Sequence, residues 1–282
     1  MVPIPQETSV LRVVNFADGS NAALGRNEPY QFARAHAFAF YRQRVLYSFI
    51  PKNACSTLRF SLAVANGALT PASDVNWIHA NNPTFVADPE FVATCAYAFV
   101  VLRCPFRRLA SCYLDKIVDG ERHLLNLFPA PVYYLHRAFG RQALARKVQS
   151  LSFADFVRRI AAQEPRDMDS HWRPQSDFLL LRHYDDYFAL EEFGRVQAAL
   201  AAQGIDIIDT RGRLGHDTSG LDKISGRFTA VPGHQIRALK DQGQVPAPDS
   251  LYDDETIALV RRLYADDITL YQERFGPGNL LF

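Results

Sequence analysis

Val45-Leu46-Tyr47-Ser48-Phe49 is a short apolar, aromatic run. It is followed directly by Ile50-Pro51-Lys52-Asn53-Ala54-Cys55-Ser56-Thr57 and then by the helix-like run Leu58-Arg59-Phe60-Ser61-Leu62-Ala63-Val64-Ala65. Strand, tight polar loop and helix in that order leave unpaired backbone N–H groups at a helix N-terminus, where an anion is favoured. Lys52 adds a mobile positive charge, and Ser56 and Thr57 add hydroxyl donors. The stretch reads as a phosphate or sulfate cradle. It is not the ordinary nucleoside-triphosphate loop, which has two glycines and a lysine just before the hydroxyl. Here the lysine comes first, and residues 50–59 contain no glycine. A strand-to-helix turn with an incidental lysine and a hydroxyl N-cap accounts for the same residues.

A second stretch distinguishes the two readings. Tyr97-Ala98-Phe99-Val100-Val101-Leu102 is continuous in apolar, β-branched and aromatic residues, as expected of a strand buried on both faces. It runs into Arg103-Cys104-Pro105-Phe106-Arg107-Arg108-Leu109-Ala110-Ser111-Cys112-Tyr113-Leu114-Asp115-Lys116. Pro105 suits the first turn of a helix, which puts Arg103 at a strand's carboxyl end and Ser111 about two turns into the helix that follows. Ligands of open parallel sheets bind outside the carboxyl ends of strands. Two strand ends carrying cationic and hydroxyl groups suit a ligand with two separate anionic groups.

These two segments resemble the signatures of the sulfotransferases that use 3′-phosphoadenosine 5′-phosphosulfate (PAPS), in particular the carbohydrate branch of chondroitin, dermatan and HNK-1 type. The first signature there is Pro-Lys-x-Gly/Ala-Cys-Ser/Thr-x-Trp-Lys/Arg; Pro51, Lys52, Ala54, Cys55, Ser56 and Arg59 match it, with Leu58 in place of the tryptophan. The second is Arg-x-Pro-Phe-x-Arg-Leu-x-Ser-x-Tyr-x-Asp-Lys. It is matched by Arg103, Pro105, Phe106, Arg108, Leu109, Ser111, Tyr113, Asp115 and Lys116, with Cys104 in place of a common aspartate. Asp169-Ser170-His171-Trp172-Arg173-Pro174-Gln175 resembles a downstream His-Trp-x-Pro element, and Tyr184 to Glu191 a strand-and-turn element. Val260 to Asp267 and Tyr271 to Gly276 resemble a closing helix.

The resemblance implies an α/β fold, a P-loop-like three-layer sandwich with a central parallel sheet flanked by helices. It also implies a single sulfotransferase domain over residues 1–282. Residues 1–44 read as an irregular lead-in with a helical patch over 31–44, and residues 120–165 as a helical insertion near the acceptor site. Pro51, Lys52, Asn53, Ala54, Cys55, Ser56 and Thr57 would hold the 5′-phosphosulfate of PAPS, and Arg103 and Ser111 its 3′-phosphate. Lys223 and Arg227, in a late polar loop, would close over the donor. Lys52 would meet charge developing on the leaving oxygen. His79, or else His171, would take the proton of the acceptor hydroxyl. A kinase using a nucleoside triphosphate and a non-catalytic nucleotide-binding relative are the competing readings, and the absent Gly-Lys-Ser/Thr counts against the first.

Composition narrows the partners. A 282-residue chain with 48% hydrophobic residues can bury a large core. A formal charge of +1 argues against a broad nucleic-acid surface, so anion recognition is local. The eight histidines are scattered without ligand spacing, so no metal is expected. Cys55, Cys95, Cys104 and Cys112 form no Cys-x-x-Cys pair and read as reduced thiols. Neither a signal peptide nor a run of 18 apolar residues is present, which suggests a cytoplasmic, bacterial-type relative without a transmembrane segment. The expected acceptor is a glycan, glycolipid or small hydroxylated molecule. The oligomeric state is open.

Overall fold

The structure, a computed structural model, describes residues 12–18, 23–119, 127, 150–213, 218 and 220–282. Its contacts divide the mixed α/β chain into two compact units, Met1–Leu102 with Gln175–Leu214 and Arg103–Pro174 with Gly215–Phe282.

The first unit is organised by a four-stranded sheet. Helix α1 (Glu28–Ala35) starts at Asn27, whose Oδ1 accepts the Tyr30 N–H at 3.0 Å, and carries Pro29 in its first turn. Strands β1 (Ala37–Phe40) and β2 (Val45–Ser48) then form an antiparallel pair. Helices α2 (Cys55–Ala65), α3 (Trp77–Ala80) and α4 (Pro89–Thr94) lead to β3 (Tyr97–Leu102), which lies parallel to β2. Strand β4 (Asp186–Ala189) is parallel to β3, giving the order β1-β2-β3-β4, and helix α7 (Phe193–Ala202) follows it. The central sheet is therefore mostly parallel.

Alternation along the strands explains the core. Phe38, Phe40, Tyr47, Phe99, Val101 and Phe188 share one cluster with Leu58 and Leu62 of α2 and Val196 and Leu200 of α7. Tyr47 and Phe99, paired across β2 and β3, stack with ring centroids 4.9 Å apart. The alternate residues Ala37, Ala39, Leu46, Ala98 and Val100 are buried as well, which is why β2 and β3 read as continuous apolar runs. The parallel register sets the carboxyl ends of β2 and β3 at the same edge of the sheet. At the opposite end of β3, Asp185 Oδ2 accepts the Ala98 N–H and an Arg12 guanidinium N–H, each at 2.6 Å.

Residues 37–40 are a strand where the sequence suggests an irregular lead-in with a helical patch. Helix α1 ends at Ala35, and the period-two run Ala-Phe-Ala-Phe places Phe38 and Phe40 in the core once β2 is available as a partner.

In the second unit, α5 (Pro105–Cys112) passes directly into a π-helical turn at Tyr113–Ile117. Helices α6 (Phe153–Ala161) and α9 (Asp254–Leu263) each begin with a capping box, Ser152 with Asp155 and Asp253 with Thr256. Helices α8 (Gly233–Asp241) and α10 (Ala265–Phe275) complete the set among the described residues. Tyr113, Phe153, Phe156, Trp172 and Tyr252 meet edge-on or tilted in the interior. Two short strands, β5 (Asp222–Ile224) and β6 (Gln244–Pro246), pair in parallel. The sequence suggests a polar loop around Lys223 and Arg227; Val245 and Pro246 are the buried residues of the pair, and three-residue strands give no alternation to detect. Residues 120–126 and 128–149, most of the expected insertion, lie outside the described residues. None of the four cysteines forms a disulfide. Among the described residues no helix is long and apolar enough to cross a membrane.

Replacing Phe99 by Ala should remove the central ring of the sheet face and destabilise the protein by about 3–5 kcal/mol. Urea denaturation measures this. A loss below about 1 kcal/mol would show that the stack contributes little beyond what neighbouring side chains can refill.

Candidate functional site

The loop after β2 is built on an unusual backbone. Pro51 and Lys52 occupy the centre of a tight turn closed by the Asn53 N–H donating to the Ile50 carbonyl at 3.3 Å. Lys52 has φ 73°, the left-handed geometry needed at the third position of a Pro-initiated turn. Ala54, the N-cap of α2, is left-handed too, with φ 54° and ψ 22°. Asn53 between them is not among the residues with positive φ. Alternating backbone hand turns successive N–H groups toward one concavity, a nest for an anion. Each left-handed non-glycine residue costs on the order of 1 kcal/mol, and such strain concentrates at functional sites. No side chain caps α2, so the N–H groups of its first turn stay open to a ligand at the positive end of the helix dipole.

Asn53 fixes this loop from within. Its fully buried side chain donates through Nδ2 to the Val101 carbonyl at 2.8 Å and to Gln175 Oε1 at 2.7 Å. Its contribution to a ligand is thus through the backbone. Thr57 is buried, and its hydroxyl is bonded to the Thr210 hydroxyl at 2.9 Å. Ser56 sits in the first turn, half-exposed, and its hydroxyl bonds to no other described residue. Of the two hydroxyls expected at an anion, only that of Ser56 is uncommitted. Lys52 and Cys55 are half-buried. Arg59 points inward: its guanidinium donates to the Ile78 carbonyl and lies 4.9 Å from the centre of the Phe49 ring. Burial lowers its pKa from the ordinary arginine value.

The second expected locus is in the other unit. Arg103 and Ser111 are both half-buried, Arg103 just before α5 and Ser111 in the last turn of that helix. Cys104 is the N-cap of α5 and makes no side-chain cap, so this helix start is also open. Asp115 and Lys116, in the π turn, pair at 3.2 Å. Arg108 is buried and acts internally, donating to the carbonyls of Arg173 at 2.9 Å and Ser170 at 3.3 Å.

The two histidines differ in setting. His79 is exposed in the four-residue helix α3. The asparagines around it serve local structure: Asn76 bonds to Asp74, and Asn81 donates to the Trp77 carbonyl. His171 is half-buried, and its ring Nδ1 bonds to Asp169 Oδ1 at 2.6 Å. Lys223 lies exposed in β5 and donates to the Thr218 carbonyl at 2.6 Å, while Arg227 is exposed beyond that strand. Among the described residues no three His, Cys, Asp or Glu side chains are grouped as metal ligands. Sequence reasoning missed Thr210 and gave Asp169 and Gln175, at the two ends of the His-Trp element, no role of their own. Only Asp169, two positions from a histidine, leaves a local trace.

Comparison with known proteins bears on these loci together. A model described as "Sulfotransferase family" matches residues 35–272. Carbohydrate sulfotransferase 14 of Mus musculus is 30% identical over 146 residues, covering 49% of this chain and 38% of that protein. Its Homo sapiens counterpart is 29% identical over the same length, and carbohydrate sulfotransferase 8 of Mus musculus is 27% identical over 140 residues, covering 46% of this chain and 34% of that protein. The chain thus matches well under half the length of these relatives. They are vertebrate proteins, which lends no support to a bacterial, cytoplasmic setting. No solved structure matches.

Ala54 offers a direct test of the loop. Removing its Cβ should relieve about 1–2 kcal/mol of left-handed strain, against roughly 0.5–1 kcal/mol of added chain entropy in the unfolded state. Ala54→Gly is expected to stabilise the protein by about 0.5–1 kcal/mol in chemical denaturation. Destabilisation of that size would show that residue 54 does not hold a positive φ.

Proposed function

The chain belongs to the sulfotransferase family, and on that premise we propose that it transfers a sulfuryl group from PAPS to a hydroxyl of a carbohydrate or related acceptor. The observation that carries the proposal is the uncapped start of α2, with left-handed Lys52 and Ala54 before it, at the carboxyl end of a parallel strand. The names of the relatives support the carbohydrate class of acceptor. On this reading the sheet is the centre of a P-loop-like three-layer sandwich.

The residues present fit such a donor. The 5′ end carries a phosphate and a sulfuryl group, and the nest at 52–54, the first-turn N–H groups of α2 and the Ser56 hydroxyl supply donors without a competing cap. The family resemblance assigns the 3′-phosphate to Arg103 and Ser111, where a planar guanidinium fork suits a phosphate. Lys223 and Arg227 belong to the same proposal as later contacts. When bound, PAPS supplies an activated sulfuryl group on a phosphate leaving group. Lys52 stabilises negative charge on the bridging oxygen as that bond breaks, a task of positioning and electrostatics. A histidine, His79 or His171, takes the proton from the acceptor hydroxyl. Thr57 and Asn53 keep the cradle in shape from behind, through Thr210, Val101 and Gln175.

Two measurements check this reading. By calorimetry the protein should bind 3′-phosphoadenosine 5′-phosphate well over tenfold more tightly than AMP, since charged hydrogen bonds to the 3′-phosphate contribute on the order of 1.5–3 kcal/mol each. Equal affinity for the two nucleotides would overturn the donor assignment. Lys52→Ala should lower turnover on the order of 10²–10³-fold while changing affinity for the product nucleotide far less. Near-wild-type turnover in that variant would remove Lys52 from the reaction.

A further inference from the structure

Helix α5 is packed on every side but one. The Phe106 ring lies edge-on to Tyr252 and Phe282, with centroids 5.6 Å and 5.3 Å away, and the Tyr252 hydroxyl donates to the Phe106 carbonyl at 2.8 Å. Arg108 gives its guanidinium to the carbonyls of Arg173 and Ser170. Pro105, Leu109, Ala110 and Cys112 are buried as well. Of the eight residues of the helix, only Arg107 and Ser111 are half-buried. They stand four positions apart, so their side chains leave the helix one above the other, with Cβ atoms about 5–6 Å apart. Arg103, also half-buried, precedes Arg107 by four positions. The line along which this segment reaches solvent thus reads arginine, arginine, hydroxyl.

Arg107 sits where a positive charge is poorly placed. It belongs to the first turn of α5, at the positive end of the helix dipole, where a carboxylate is favoured and a cation is not. That turn holds no acidic residue, and Cys104 adds no side-chain cap. The Arg107 side chain makes no hydrogen bond or ion pair with any other described residue, and its Nε is shielded from water without an acceptor. A buried donor left unpaired costs free energy until an acceptor is found. With no bond to break, this flexible side chain gains by turning to an anion. The Ser111 hydroxyl, one turn on, also bonds to no other described residue. A phosphate monoester suits this set best, because its three terminal oxygens can serve a guanidinium fork and a hydroxyl at once, and its charge offsets that of the helix start.

Resting on the sulfotransferase reading above, we infer that Arg107 is a further contact for the 3′-phosphate of the donor and a determinant of specificity for nucleotides that carry it. Arg107 stands at an unspecified position of the second signature, between Phe106 and Arg108, so the resemblance gives it no role. The contact is local to residues 103–111. Arg107 donates to two phosphate oxygens through its planar fork, and Ser111 donates to a phosphate oxygen from the next turn. The two arginines of the first turn then have separate tasks: Arg108 fixes the helix from within, and Arg107 meets the ligand from without.

The test is calorimetry on the full chain, with wild type, Arg107→Gln and Arg107→Lys each titrated with 3′-phosphoadenosine 5′-phosphate and with AMP. Arg107→Gln should lose about 10–100-fold in affinity for the bisphosphate and stay within about twofold for AMP, which lacks the 3′ group. Arg107→Lys keeps the charge without the fork and should lose less than the glutamine variant. A second measurement uses the wild type alone. Saturating bisphosphate should protect Arg107 from phenylglyoxal, followed by peptide mass spectrometry, and AMP should not. An unchanged preference for the bisphosphate in Arg107→Gln, or full modification of Arg107 with the bisphosphate bound, would overturn the inference alone. A wild type that binds the two nucleotides alike would overturn the sulfotransferase reading, and the inference with it.

Discussion

The buried amide of Asn53 is the contact on which the loop between β2 and α2 depends. By donating to the Val101 carbonyl and to Gln175 it ties the loop after β2 to the carboxyl end of β3 and to a segment more than a hundred residues away in sequence. Two left-handed residues flank it, each held in a conformation that costs free energy on its own. Unfastened, that loop would relax to ordinary geometry, and the N–H groups before α2 would lose their common direction. The strain persists because a fully buried amide over-determines the backbone around it. Its own Oδ1 has no partner among the described residues, a further small cost of this anchor.

The basic and hydroxyl residues of the two signature segments divide into two kinds. Arg59 and Arg108 are buried and spend their donors on backbone carbonyls, at Ile78 and at Ser170 with Arg173. Thr57 gives its hydroxyl to Thr210. Lys52, Ser56, Arg103 and Ser111 are half-buried instead, so each side chain is partly exposed to solvent. A short signature of this type therefore encodes support as much as contact. Arg108 illustrates the point, since it sits in the second signature segment and donates to the turn that carries His171.

Much of this was legible in the chain itself. The apolar runs 45–49 and 97–102 specify buried strands through composition, and the polar break at 51–57 specifies a strand-to-helix loop. Pro105 marks a helix start, and the structure begins α5 there. The pair formed by Asp115 and Lys116 is adjacent in sequence and needs no long-range partner to be expected. Strand β1 was not legible, because a four-residue Ala-Phe alternation becomes a strand only when β2 lies beside it. Strands β5 and β6 were hidden for the same reason: three-residue parallel pairs carry no local pattern.

The sequence by itself determined which residue types stand at the two strand ends, because charge, hydroxyl content and the order strand-loop-helix are local properties. Only the tertiary structure decided which of those side chains are taken up as internal support. Thr57 and Ser56 are equivalent in sequence, yet Thr210 takes one hydroxyl. His79 and His171 are both plausible bases on position, yet a carboxylate holds the ring of His171. Asn53 reads as one more loop residue until Val101 and Gln175 arrive to bury it. In each case the deciding partner is a hydrogen-bonding group whose location depends on how the chain folds back, and a buried polar group commits to the partner it finds there.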